Sequence, residues 1–179
     1  MEKFDIEKFK KIKLIAGEAF VTEDNNFVTL SENEENFQQD IIKSNSPIQQ
    51  SKLFYKDTLS LKKEAEFFQG FAIGVHKRYD EKGELIEEID HDLPFTFSLE
   101  DVRQKILSEF GKDIMDAGLR FGISRSTNPA PHYIVVIPLT NLPKGESKLL
   151  KINGETGEVA AVQILRFASE TDIPQKYTE

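Results

Sequence analysis

The chain has 179 residues, no cysteine, 14 phenylalanines without a tryptophan, and a formal net charge of -8 at pH 7. That length fills one ordinary domain, or two small ones sharing a core, and the absence of cysteine excludes disulfides, thiolate catalysis and Cys-ligated zinc or iron–sulfur sites. The charge is lopsided, with 20 acids against 13 bases in residues 1–97 and 11 against 10 in residues 98–179, so the first half should repel phosphate backbones and attract basic proteins.

The start, Met1 to Asp5, carries acids and leads into no apolar run, and no window of eighteen apolar residues follows. These features predict a cytoplasmic chain with neither signal peptide nor membrane span. Residues 3–13 read as a short helix, with Asp5 as N-cap and Ile6, Phe9 and Ile12 at helical spacing. From Glu18 to Leu30, the alternating Phe20, Thr22, Phe27 and Thr29 around Glu23-Asp24-Asn25-Asn26 predict a hairpin. Residues 31–40 are polar enough for a loop, and Ser44-Asn45-Ser46-Pro47 for a turn.

Between Phe54 and Asp92 one phrase is written twice, twenty-four residues apart. Tyr55 answers Tyr79, Leu61 answers Leu85, Glu64 answers Glu88 and Ala65 answers Ile89, as stacked supersecondary units require. In the second copy Gly83 sits at the end of a turn cluster between two strand-like runs, which encodes a hairpin with a glycine at positive φ. In the first copy Leu59 stands where Gly83 stands, so that turn is expected to differ and to form around Lys56-Asp57. Gly70 and Gly74 let the chain bend sharply while Phe67, Phe71 and Ile73 are buried.

The tyrosine, turn glycine and following leucine, here Tyr79, Asp80, Gly83 and Leu85 with Gly70 and Gly74 joining the units, resemble the MORN-variant repeat. The resemblance covers about forty residues. Arrays of such repeats occur in bacterial antitoxins and immunity proteins, and the resemblance implies a function of that kind.

Past the segment Leu93 to Phe97, Ser98 with Asp101 three residues on starts the clearest helix. Leu99, Val102, Ile106, Leu107 and Phe110 form its apolar stripe, and Gly111 closes it. Strands are expected over 119–124, 133–139, 148–152 and 158–167. Connectors are expected at 127–131 and 141–146, and a tight turn at Asn153-Gly154-Glu155-Thr156-Gly157. This half, in particular the helix Ser98 to Gly111 and the final Ile152-Asn153-Gly154-Glu155-Thr156-Gly157-Glu158-Val159, resembles the PepSY-type domain. That resemblance covers about sixty residues, and the insert with Pro129 and Pro131 departs from the short form of the domain. PepSY-like domains occur in protease propeptides and in modules that bind proteins or inhibit peptidases, so it implies binding.

The expected fold is therefore α+β: an antiparallel β-meander of MORN-like hairpins followed by a helix packed on a four-stranded antiparallel sheet. Residues 1–97 would hold the first helix and the meander, and residues 98–179 the PepSY-like half, as one continuous unit. His76, His91 and His132 show no metal-ligand spacing. Ser124 and Ser126 lie near His132 but follow no nucleophile elbow, and Gly70-x-x-x-Gly74 is no phosphate loop. We therefore expect no catalytic residue, no cofactor and no metal.

The acids point elsewhere. Asp80 to Asp92 holds seven acids and one base. On a strand, Glu88, Asp90 and Asp92 would share one side, a row that repels itself unless a cation answers it. Glu84, Glu87, Glu88, Asp90 and Asp92 are thus the expected partner-binding residues, on an immunity protein or antitoxin that blocks a basic cognate toxin by occlusion, without nucleic acid or membrane. The rivals are a small-ligand or peptide-binding module with a pocket beneath the Thr127 to His132 loop, a peptidase-inhibitor-like domain, and a hydrolase marked by buried carboxylates of raised pKa.

Overall fold

The computed structural model describes residues 2–12, 18–23, 26–44, 46–116, 118, 122–139 and 146–166. The chain divides into two compact units, Met1–Leu93 with Met115–Gly118, and Pro94–Ile114 with Leu119–Glu179. The fold is α+β, and among the described residues no helix is long and apolar enough to cross a membrane.

In the first unit, α1 (Ile6–Ile12) precedes seven strands: β1 (Glu18–Glu23), β2 (Asn26–Glu32), β3 (Asn36–Lys43), β4 (Ile48–Tyr55), β5 (Leu61–Phe68), β6 (Phe71–Tyr79) and β7 (Leu85–Asp90). Each pairs antiparallel with its sequence neighbour, so the sheet is an unbroken meander. Asp5 caps α1 through its carboxylate, which accepts the Lys8 N–H at 2.9 Å. The helix is shorter than the expected 3–13. Glu2 to Phe4 are extended, with Phe4 N–H donating to Leu59 O and Leu61 N–H to Glu2 O. Extension of this stub puts Phe4 flat on Phe37, with ring centroids 4.6 Å apart, and edge-on to Phe9. Together with Val28, Leu30, Phe54 and Leu61 these rings form the core under α1.

The expected loop over 31–40 is overturned. β2 runs to Glu32, and β3 begins at Asn36, after a turn in which Asn33 Oδ1 accepts the N–H groups of Glu35 and Asn36. Phe37, opposite Phe54, and Ile41 face the core side, whereas the polar residues between them occupy strand positions because the neighbouring strands satisfy their backbone. Of the expected hairpin turn before Asn26, Asp24 and Asn25 lie outside the described residues.

The doubled phrase forms two hairpin turns, β4 to β5 and β6 to β7, and Tyr55 Oη donates to the carbonyl of its counterpart Tyr79 at 2.9 Å. Gly83 has φ 87°, as expected, and Leu59 at the same repeat position also has positive φ, 58°. The missing glycine therefore does not remove the left-handed residue, although the bonding differs: Leu59 N–H returns to Tyr55 O, whereas Gly83 N–H returns to Asp80 O. Leu59 takes the strained conformation because its side chain packs against the Phe-rich core. Gln69 and Gly70, both with positive φ, turn β5 into β6, and Phe68 is fully buried while the expected Phe67 and Phe71 are only half-buried.

In the second unit, α2 (Leu99–Phe110) precedes β8 (Gly122–Ser126), β9 (His132–Pro138), β10 (Glu146–Asn153) and β11 (Val159–Arg166), again an antiparallel meander. The capping box between Ser98 and Asp101 forms, and Gly111 closes the helix at φ 64°. Val102 and Ile106 are wholly buried, as are Tyr133, Val135, Ile137 and Ile152 of the sheet. Lys148 of β10 lies over the Phe110 ring at 5.0 Å, marking the sheet face that the helix covers.

Candidate functional site

The five expected partner-binding acids gather around β7. The turn before it is built by Asp80, whose Oδ1 accepts the N–H groups of Lys82 and Glu84 at 2.9 and 2.8 Å, and by Gly83. Beyond the turn β7 pairs with β6 along one edge, and no described strand pairs with its other edge. All six of its residues are exposed, as are Glu84 and Asp92 on either side.

Register decides which residues of β6 the acids stand beside. Tyr79 stands opposite Leu85, but Arg78 stands opposite Glu87, so one residue, Ile86, is bulged out of the ladder. A one-residue slip exchanges faces. Beyond the bulge Glu87 and Ile89 lie on the face of Arg78 and His76, while Glu88 and Asp90 lie on the face of Lys77 and Val75. The expected row of Glu88, Asp90 and Asp92 is shortened to its first two members, because β7 ends at Asp90. Asp92 Oδ2 accepts the Gly74 N–H at 3.0 Å, and Asp90 Oδ1 accepts the Asp92 N–H at 2.9 Å.

The acids differ in how they are answered. Glu87 accepts from Arg78 Nε at 2.8 Å, a half-exposed pair of small net energy. The carboxylates of Glu84 and Glu88 have no hydrogen-bond or ion-pair partner among the described residues. Glu88 also bears on Tyr79, whose hydroxyl donates to Glu64 Oε1 at 2.6 Å. That bond, then burial and the negative charges of Glu64 and Glu88, push the phenol up to about 12. Interleaved with the acids are Leu85, Ile86 and Ile89, each about half exposed, which the charge pattern alone did not single out.

The structure also brings together two histidines that the sequence separates by fifteen residues. The rings of His76 and His91 lie 4.2 Å apart, with Phe67 edge-on to His76 at 5.3 Å. They line a cavity of about 340 Å³ with Lys63, Ala72, Arg78 and Ile89. His76 is buried and its Nε2 lies 3.0 Å from Glu66 O. A carbonyl only accepts, so Nε2 is the donor in this contact. The β7 bulge causes this pairing, because an uninterrupted register would place His91 on the other face. Among the described residues no three His, Cys, Asp or Glu side chains cluster as a metal site would require.

The remaining candidates stay apart. Ser126 stands opposite His132, but its hydroxyl engages Asn128 and the imidazole Nδ1 lies 2.8 Å from Ala130 O, so no nucleophile–base pair is formed. The cavity beside Pro129 to His132 holds about 100 Å³, below the range of small-molecule pockets. The carboxylates of Glu100 and Asp101 are held below their ordinary range, by Gln104 and by Ser98 respectively. No family model, no curated protein and no solved structure matches the chain.

Proposed function

We propose that this protein is a binding protein of the immunity or antitoxin type, which neutralises a basic toxin domain by covering it with the acidic β7 edge. The observation that carries the reading is β7 itself: a strand exposed on both faces, unpaired by any described strand on one edge, flanked by Glu84 and mixing the acids Glu87, Glu88 and Asp90 with the half-exposed Leu85, Ile86 and Ile89. A bare strand edge invites unwanted pairing, and acids protect it from like-charged neighbours while leaving it open to a basic one. Charge would steer the encounter, lifting association toward roughly 10⁸ M⁻¹s⁻¹ at low salt, and the apolar side chains would slow release.

The test takes the product of the adjacent upstream gene as candidate toxin and measures its association with this chain. A complex should form and relieve toxicity on co-expression. The triple variant Glu87→Lys, Glu88→Lys, Asp90→Lys should associate at least tenfold more slowly, with little salt dependence. An unchanged association rate, or turnover of a substrate by the purified chain, would defeat the reading. A second reading, a small-ligand or peptide-binding module, is favoured by one observation, the cavity of about 340 Å³ at His76 and His91.

A further inference from the structure

In an antiparallel ladder, residues alternate between those whose N–H and C=O face the partner strand and those whose groups face away. The phase at β7 is set by one bond: His91 N–H donates to Gly74 O at 3.0 Å, so His91 turns its backbone N–H toward Gly74, whose own N–H goes to the Asp92 carboxylate. The register runs from there without a break through Val75 and Asp90, His76 and Ile89, Lys77 and Glu88, to Arg78 and Glu87. Ile89 and Glu87 therefore turn their backbone groups toward β6, whereas Asp90 and Glu88 turn theirs away from the sheet. The two residues with outward amides are thus also the two acids that share a face.

We propose that β7 is a strand-addition site, which takes an extended segment of a basic partner protein as the eighth strand of the sheet. It rests on the reading of β7 as the binding surface. The segment pairs with the outward N–H and C=O groups of Glu88 and Asp90. Cross-strand neighbours share a face, so the segment carries Lys or Arg at alternate positions, against Glu88 and Asp90, and apolar residues between them, on the face of Ile89. A second copy of this chain does not fit. Antiparallel pairing of two β7 strands in phase sets Glu88 against Glu88, Glu88 against Asp90, or Glu87 against Glu87, and like charges directly opposite repel.

The probe is a synthetic seven-residue peptide alternating Lys and Val, added to the full isotope-labelled chain, with amide hydrogen exchange read residue by residue. At saturation the amides of Glu88 and Asp90 should exchange at least tenfold more slowly, while those of Glu87 and Ile89, already bonded to β6, should not change. N-methylation of the peptide along the edge that faces β7 keeps its charge and should weaken binding by about tenfold or more. The variant Glu88→Pro removes an outward N–H, a change edge strands tolerate, and should weaken binding similarly, whereas Glu88→Gln should weaken it less. Should Glu88→Pro fail to fold, exchange in the unsubstituted chain decides.

If the Lys–Val peptide binds with Glu88 and Asp90 exchanging as before, and N-methylation has no effect, strand addition is overturned while the acidic-surface reading stands. No binding of the Lys–Val peptide, or equal binding of a Glu–Val peptide, overturns the inference through its charge complementarity.

Discussion

Gly157 closes the turn between β10 and β11 with φ 74°, and a Cβ added to it would lie 2.3 Å from Cε2 and 2.5 Å from Cδ2 of Phe97. Ordinary contact is about 3.5 Å or more, so the ring would have to retreat by about 1 Å. Its backbone resists that retreat, since Phe97 N–H donates to Gly154 O at 2.9 Å and its carbonyl accepts the Tyr133 hydroxyl at 3.0 Å. Gly157→Ala should therefore cost roughly 1–2 kcal/mol for the left-handed backbone and about 1–3 kcal/mol more for overpacking. Gly111 is the control. It has φ 64° with nothing within 4 Å of the added Cβ, so Gly111→Ala should cost only the backbone part. Amide exchange at Val135 and Leu150, opposite each other in the β9–β10 ladder, reports opening of this unit. A loss of about 3 kcal/mol would speed it by roughly two orders of magnitude, and the control by about one. Equal acceleration by the two variants would refute the steric argument, and so would strict additivity of Gly157→Ala with Phe97→Ala.

Three further outcomes are expected. Gln69 turns β5 into β6 at φ 46°, ahead of Gly70, so Gln69→Asn should stabilise the protein by part of the roughly 1–2 kcal/mol a left-handed residue costs, read as a higher denaturation midpoint. Tyr79 is raised to about 12, so the fold favours its neutral phenol. The resulting stability is present in full below pH 10 and is lost as pH rises from 10 to 12, and Tyr79→Phe should flatten that alkaline loss in denaturation curves. Ser98→Ala should cost α2 about 1 kcal/mol. It should also shrink the stability lost on acidification: bonds from Ser98 hold Asp101 below its usual range, and that contribution, present above the ordinary carboxylate pKa, disappears as pH falls.

The turns and caps were legible because their chemistry is local. Ser98, Asp101 and Gly111 bound α2, Gly83 turns the hairpin into β7, and Asp5 caps α1, each through bonds that reach no more than four residues along the chain. β3 was not legible, because its middle is polar and its identity depends on Phe37 meeting Phe54, seventeen residues later on the next strand. Leu59 misled for a related reason: propensity places glycine at positive φ, and only packing against the ring cluster makes a leucine tolerable there.

The sequence by itself determined the α+β class, the order of most strands and the concentration of acid in Asp80 to Asp92, since composition, short-range periodicity and turn chemistry travel with the chain. Tertiary structure alone decided what those acids stand beside. One extra residue at Ile86 puts Glu87 on the Arg78 face and the Glu88–Asp90 pair on the face of Lys77 and Val75, and brings His91 against His76. A strand has a side-chain period of two, so a single-residue shift in pairing exchanges its faces, and no local pattern in β7 records which residue of β6 it will meet.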